Sequence, residues 1–253
     1  MSLTKRLIAR LDIKAPHLVK GVQLEGLRKL GNPHDFAIRY YEQGIDELLY
    51  IDIVASLYER NSIIDLVREH TRDVYVPITV GGGIRSFADA RNVLLAGGDK
   101  IAINTAALKN SVIFREVSEQ FGSQSVVAHI EAKSISPNKW EAYYDNGREK
   151  SGRDVLEWAQ EAVFMGAGEI LLTSVDKEGS AKGIDIMLLK TMAEKIHVPI
   201  IVSGGVGKIQ DIEAAFDNGA DAVACAHIFH YNLHAIQDVK KHLFSSGFHV
   251  RYS

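Results

Sequence analysis

At 253 residues, 46% hydrophobic and 24% charged, the chain is long enough for one large globular domain, and no apolar run approaches the roughly 18 residues of a membrane span. A net charge of -3 argues against general nucleic-acid binding while leaving room for a local anion site, and Cys225, the one cysteine, rules out an intramolecular disulfide. The opening MSLTKRLIARLDI lacks the apolar core and small-residue cleavage site of a secretory leader, so a cytosolic, cytoplasmic protein is expected.

Short apolar runs that end in polar or glycine residues predict strands at 6–12, 47–52, 77–80, 100–103, 125–131, 169–173, 200–203 and 222–226. Helical patterns fall between them at 35–43, 63–71, 87–96, 112–121, 153–165, 185–196, 209–218 and 233–244, often closed by glycine. Eight strands, each followed by a helix, predict an α/β fold of the (βα)8 TIM barrel type. The longest breaks, 14–31 and 134–152, are expected to form loops over the active end.

The second half of the chain repeats the first at an offset of 122 residues: VPITVGGGI from Val76 returns as VPIIVSGGV from Val198, and GIDELLYIDI from Gly44 as GAGEILLTSV from Gly166. Pro77 maps to Pro199, Glu47 to Glu169 and Asp99 to Asp221. A repeat this long is not a solenoid unit, so a single barrel domain over 1–253 is expected, built from duplicated half-barrels at about 1–122 and 123–253.

In such a barrel, function sits where strands end. Asp12 and Glu131 end the first strand of each half and should face one another across the mouth, where two carboxylates can serve as general acid and base; the plainer reading is that each caps a turn. Gly82-Gly83 and Ser203-Gly204-Gly205 put side-chain-free backbone at two matched strand ends, each followed by a second polar or small strand end at Asn104-Thr105 and Ala226. Exposed N–H groups there can hold a phosphate, so a substrate with a phosphate at each end is expected. At the opposite ends of the strands stand Arg6, Glu47, Lys100 and Glu169, two cations and two anions, which read from the residues alone as a salt-bridged plug.

The motifs KRLIARLDIK, LVKG, GIDELLYIDI, TVGGGI, DKIAINTAA, FGSQSVV, GAGEILLTSVDKEG and SGGVGK and the closing FH, in order over nearly the whole chain, resemble the cyclase subunit of imidazole glycerol phosphate synthase. The resemblance implies a lyase of histidine biosynthesis that uses ammonia to cleave a bis-phosphorylated aminoimidazole carboxamide ribonucleotide and close imidazole glycerol phosphate. It implies a heterodimer with a glutaminase docked at the barrel bottom, with ammonia passing a gate matched here by Arg6, Glu47, Lys100 and Glu169. Catalysis is carried onto Asp12 and Glu131. Substrate and phosphate contacts are carried onto Lys20, Asp52, Gly82, Gly83, Asn104, Thr105, Thr173, Asp176, Gly179, Ser203, Gly204, Gly205 and Ala226. No cofactor or metal is implied, and no nucleic-acid or membrane partner.

The departures cluster at the active end. Glu131 stands where the family has aspartate, Ala226 where it has serine, and Ala15-Pro16 where it has Asp-Gly. Strand parity turns Arg10 and His129 into the lumen beneath the two acids, where the family has smaller side chains. That pattern keeps two further readings open: a paralogue delivering ammonia to a sugar in surface-polysaccharide synthesis, and a silent scaffold that activates a glutaminase. Other features read plainly. His227, His230 and His234 lack the carboxylate or cysteine that would complete a metal motif, and Cys225 reads as a small buried hydrophobe. Trp140, Tyr143 and Tyr144 belong either to a plain hairpin or to a surface that stacks on a heterocycle.

Overall fold

Alternation along the first strand sets two apolar layers. Leu7, Ala9, Leu11 and Ile13 join the shell shared with the helices, whereas Ile8 joins Leu49, Ala102, Val127, Leu171, Ile201, Ala222 and Ala224 in a separate lumenal cluster. A strand buried on both faces is what a parallel barrel requires. The computed structural model describes residues 4–22, 25–55 and 63–252; the first three residues of the segment read for a leader lie outside them.

In chain order the strands are β1 (Arg6–Lys14), β2 (His17–Val22), β3 (Glu25–Gly31), β4 (Glu47–Asp52), β5 (Ile78–Gly81), β6 (Lys100–Ile103), β7 (Val126–Ser136), β8 (Lys139–Tyr144), β9 (Glu149–Asp154), β10 (Glu169–Ser174), β11 (Ile200–Ser203) and β12 (Ala222–Cys225). Strands β1, β4, β5, β6, β7, β10, β11 and β12 pair in parallel in that order, and β12 returns to β1 with Arg6 opposite Ala222. The ring is the expected (βα)8 barrel. Around it run α1 (Pro33–Glu42), α2 (Ile63–His70), α3 (Phe87–Leu95), α4 (Thr105–Lys109), α5 (Val112–Phe121), α6 (Val155–Phe164), α7 (Ile186–Ala193), α8 (Ile209–Asp217), α9 (His227–His230) and α10 (Ile236–Ser245). No described helix is long and apolar enough to cross a membrane.

The two halves are built with the same devices. Asp99 accepts the Ile78 N–H at 2.8 Å, and Asp221 accepts the Ile200 N–H at 3.0 Å. Asp89 accepts N–H groups of Arg85 and Ser86 at the start of α3, as Asp211 does from Gly207 and Lys208 at the start of α8. These carboxylates satisfy donors that a helix or strand start leaves unpaired.

Two expectations change. The breaks at 14–31 and 134–152 are hairpins, because β1 and β7 run past the barrel rim and pair antiparallel with β2 and β8, which pair in turn with β3 and β9. The β8–β9 tip places Asp145, Asn146 and Gly147 at φ of 49°, 61° and 75°, a conformation that Asn-Gly favours. The helix expected at 233–244 begins at Ile236, and the short helices α4 and α9 follow directly on β6 and β12.

Candidate active site at the barrel mouth

β1 and β7 lie across the ring from each other, so their lumenal acids, Asp12 and Glu131, approach the mouth from opposite sides. Their surroundings differ. Glu131 is buried, accepts the Gly147 N–H from the β8–β9 tip at 2.8 Å, and has the Asn104 side chain as a second donor. Burial dominates and pushes its carboxyl up to about 7, against the pull of that N–H and of Arg10. Asp12 accepts from Arg10 Nε at 2.8 Å and has Lys20 Nζ at 3.9 Å.

Arg10 is a crossbar in the lumen. Its Nη1 donates to Ser203 Oγ at 3.0 Å and Thr173 Oγ1 at 3.3 Å and stands 3.7 Å from Glu178, whose carboxylate also binds Lys20. Burial penalises the guanidinium charge, but Asp12 and Glu178 outweigh it and keep the group firmly cationic. Burial likewise pushes the Glu178 carboxyl up, yet Lys20 and Arg10 leave it below its ordinary value. Two cations and two anions thus balance in one buried cluster.

The glycine turns flank this cluster unequally. Gly82 and Gly83 (φ 86° and 72°) and Gly204 and Gly205 (φ 96° and 99°) adopt the left-handed backbone that only glycine takes cheaply. Beside the first turn opens a cavity of about 360 Å³, lined by Asp52, Gly82, Gly83, Asn104, Thr105, His129 and Glu131. Beside the second turn, Lys20, Gly179, Ser203, Gly204, Gly205 and Ala226 line only about 20 Å³, room for one water, with Arg10 and Glu178 among its walls.

At the opposite end of the lumen Arg6 donates to Glu47 and Glu169, each at 2.5 Å, and Lys100 to the same two carboxylates at 3.2 and 2.9 Å. The ring closes the barrel bottom beneath the lumenal apolar cluster.

The profile of the family described as "Histidine biosynthesis protein" matches residues 6–235. The chain is 44% identical over 250 residues to the imidazole glycerol phosphate synthase subunit HisF of Streptococcus sanguinis (strain SK36), covering 98% of this chain and 99% of that protein. It belongs to the HisF family of histidine biosynthesis proteins. The HisF subunit of Legionella pneumophila is 54% identical over 206 residues, 81% of this chain and 97% of that protein, and the HisF subunit of Streptococcus gordonii is 44% identical over 250 residues.

Within this HisF-family barrel the residues expected at the site fall into two groups, one per glycine turn, joined by Asp12 and Thr173 through their bonds to Arg10. Asp176 stands apart. Its carboxylate accepts the Ser134 N–H at 2.8 Å beside the β7–β8 hairpin, and the acid that lines the smaller cavity is Glu178. Glu178, Arg85, Lys109 and Asp145 also line the two cavities without having been anticipated; the signal for Glu178 lay in the VDKEG run that follows β10. Trp140 donates through Nε1 to Asp185 at 3.0 Å and packs in the core, and Tyr143 lies beneath the Lys133 ammonium; both sit in the β8 arm of a hairpin and line neither of the two cavities above. His230 is buried against the Tyr40 hydroxyl at 2.6 Å, and Cys225 is buried with its thiol pKa raised by burial.

Proposed function

We infer that this chain is the cyclase subunit of imidazole glycerol phosphate synthase, acting in the cytoplasm on a bis-phosphorylated aminoimidazole carboxamide ribonucleotide with ammonia as nitrogen donor. The observation that carries the reading is the pairing of two mouth carboxylates between two glycine turns, above a lumen sealed at the far end by a four-charge ring. Glu131, uncharged below about pH 7, is the proton donor in this reading. Asp12, held against Arg10 and Lys20, is the acceptor. The first cavity takes one phosphate at Gly82, Gly83 and Asn104, and the second turn takes the other once Lys20 and Glu178 rearrange.

A glutaminase docks over the charged ring in this reading, which makes the ring a gate for ammonia. Exposed large apolar side chains do not single out that face, since Ile135, Met187 and Leu233, in the β7–β8 hairpin, at a helix start and in a loop, are exposed as Tyr75, Leu95 and Phe164 are; the choice of face rests on the ring. Amidination of a sugar is retained as a second reading on one observation, the small space beside the second turn, walled by Arg10 and Glu178.

The test is incubation of the purified chain with ammonium salt and the bis-phosphorylated ribonucleotide. Imidazole glycerol phosphate is the expected product. A folded chain that forms none, while a cognate glutaminase still binds it, would overturn the cyclase reading in favour of the second.

A further inference from the structure

His129 stands on β7 one pleat below Glu131, is buried to within 4% of complete, and lines the larger cavity. Its Nε2 lies 3.2 Å from Thr173 Oγ1. Thr173 is 0% exposed, and the same oxygen receives Arg10 Nη1 at 3.3 Å. A guanidinium only donates, so Arg10 occupies one lone pair of that oxygen and leaves the hydroxyl proton to find an acceptor. The acceptor within reach is His129 Nε2. Were Nε2 itself protonated, two donors would point at one oxygen and the Thr173 proton would be buried without a partner, which is costly. With Nε2 bare, all three groups are satisfied.

Arg10 has no freedom to relax this arrangement. Its Nε is committed to Asp12 at 2.8 Å and the same Nη1 to Ser203 at 3.0 Å, with Glu178 at 3.7 Å. The proton of a neutral His129 ring must then sit on Nδ1, the nitrogen left for the cavity that the ring lines.

We propose that Arg10 and Thr173 are positioning residues that lock His129 in its Nδ1–H tautomer, making His129 a specificity-determining donor that selects ligands with a hydroxyl, carbonyl or phosphoryl oxygen at that depth of the larger cavity. Burial first, and then the Arg10 charge, lower the imidazole pKa to about 3, with Glu178 pulling weakly the other way, so the ring stays neutral wherever the protein works. His129 is therefore a fixed donor rather than a proton carrier, and proton transfer is left to the carboxyl of Glu131. The use of the cavity by substrate rests on the cyclase reading; the tautomer does not.

The tautomer is read by nuclear magnetic resonance on the full chain labelled with ring ¹³C and ¹⁵N histidine, the His129 signals being assigned by their loss in His129→Gln. The Nδ1–H pattern is expected, unchanged between about pH 5 and about pH 9. Thr173→Ser should retain it, and Thr173→Val should abolish the preference. An Nε2–H or doubly protonated ring in the parent chain, or an Nδ1–H signal that survives Thr173→Val, would overturn the proposal. For selection, His129→Phe should raise KM for the ribonucleotide in ammonia-dependent turnover by about tenfold with a smaller change in kcat, the loss of one neutral hydrogen bond. An unchanged KM removes the selecting role. A parent chain that shows the tautomer but turns over no ribonucleotide counts against the cyclase reading instead.

Discussion

Glu47 and Glu169, placed 122 residues apart in the chain, divide Arg6 and Lys100 between them in the same way: each gives one carboxylate oxygen to the guanidinium and the other to the ammonium. An apolar plug would stabilise a barrel at least as well as two buried carboxylates and two half-buried cations, so the ring points to use rather than to stability alone. Replacing Lys100 with alanine leaves both carboxylates on Arg6 and opens one side of the ring. We expect the variant, paired with a glutaminase, to hydrolyse glutamine with little product, while added ammonium salt still sustains turnover. A folded variant that loses both activities in parallel would show that the ring is no conduit.

Glu131 should govern the alkaline limb of the rate profile. Its carboxyl is held protonated up to about pH 7, so kcat for ammonia-dependent turnover should fall as pH rises through that value. Glu131→Gln should lower turnover by about 10² or more and flatten the limb, with substrate binding largely kept. Asp12→Asn should cost a similar factor, since it removes both the proton acceptor and the charge held against Arg10 Nε. Equal losses of binding and turnover in either variant would mark that residue as an anchor.

The same carboxyl couples stability to pH. Its folded pKa lies above the ordinary value of 4.5, so the folded chain holds a proton that the unfolded chain releases. The associated stability is complete below the unfolded pKa and is lost as pH rises through about 7. Thermal melting should therefore show a steeper decline between about pH 5 and about pH 8 for the parent chain than for Glu131→Gln. Parallel declines would remove the assignment.

The matched glycines Gly82 and Gly204 differ in tolerance, although Gly205 in the second turn is as closely hemmed as Gly82, by the Gly183 carbonyl oxygen at 2.1 Å. A Cβ on Gly82 would stand 2.1 Å from the Asp52 carbonyl oxygen, whereas one on Gly204 would stand 2.9 Å from the Ser174 carbonyl oxygen. Both residues have positive φ, but the first contact forces the backbone of β4 aside. Gly82→Ala should destabilise the barrel more than Gly204→Ala, the latter by about 1–3 kcal/mol, and comparison of their denaturation midpoints checks the order.

Anion occupancy should follow the unequal space beside the two turns. Sulfate soaked into crystals should appear at Gly82, Gly83 and Asn104 at lower concentration than at Ser203, Gly204 and Gly205, where Glu178 must first yield Lys20. Density at neither turn in an open lattice would remove the phosphate reading of both.

The barrel was legible because two periods agree: short runs buried on both faces recur between amphipathic helices, and the whole set recurs after 122 residues. Parity along β1 and β7 also placed Arg10 and His129 in the lumen. What parity does not carry is where a long side chain ends: Arg10 reaches Asp12, Thr173 and Ser203 on three strands, and Glu178 in the loop after β10, which has no period. The hairpins were hidden for a related reason. EGLRKLG and EKSGRD pair above the rim, where charged side chains meet water and the apolar alternation of a strand is diluted.

Closure of the ring has a consequence for how the chain reaches this state. β1 completes its pairing only when Arg6 meets Ala222, and Lys5 reaches the Ala220 carbonyl 215 residues later. A ribosome delivers β1 first and β12 nearly last, so throughout synthesis one edge of β1 is an open row of donors and acceptors that neighbouring nascent chains can join. Contacts so distant in sequence also make the final step slow, because the entropy of bringing the ends together is spent before any pairing returns it. An unfinished cylinder therefore carries that open edge until its last stave arrives.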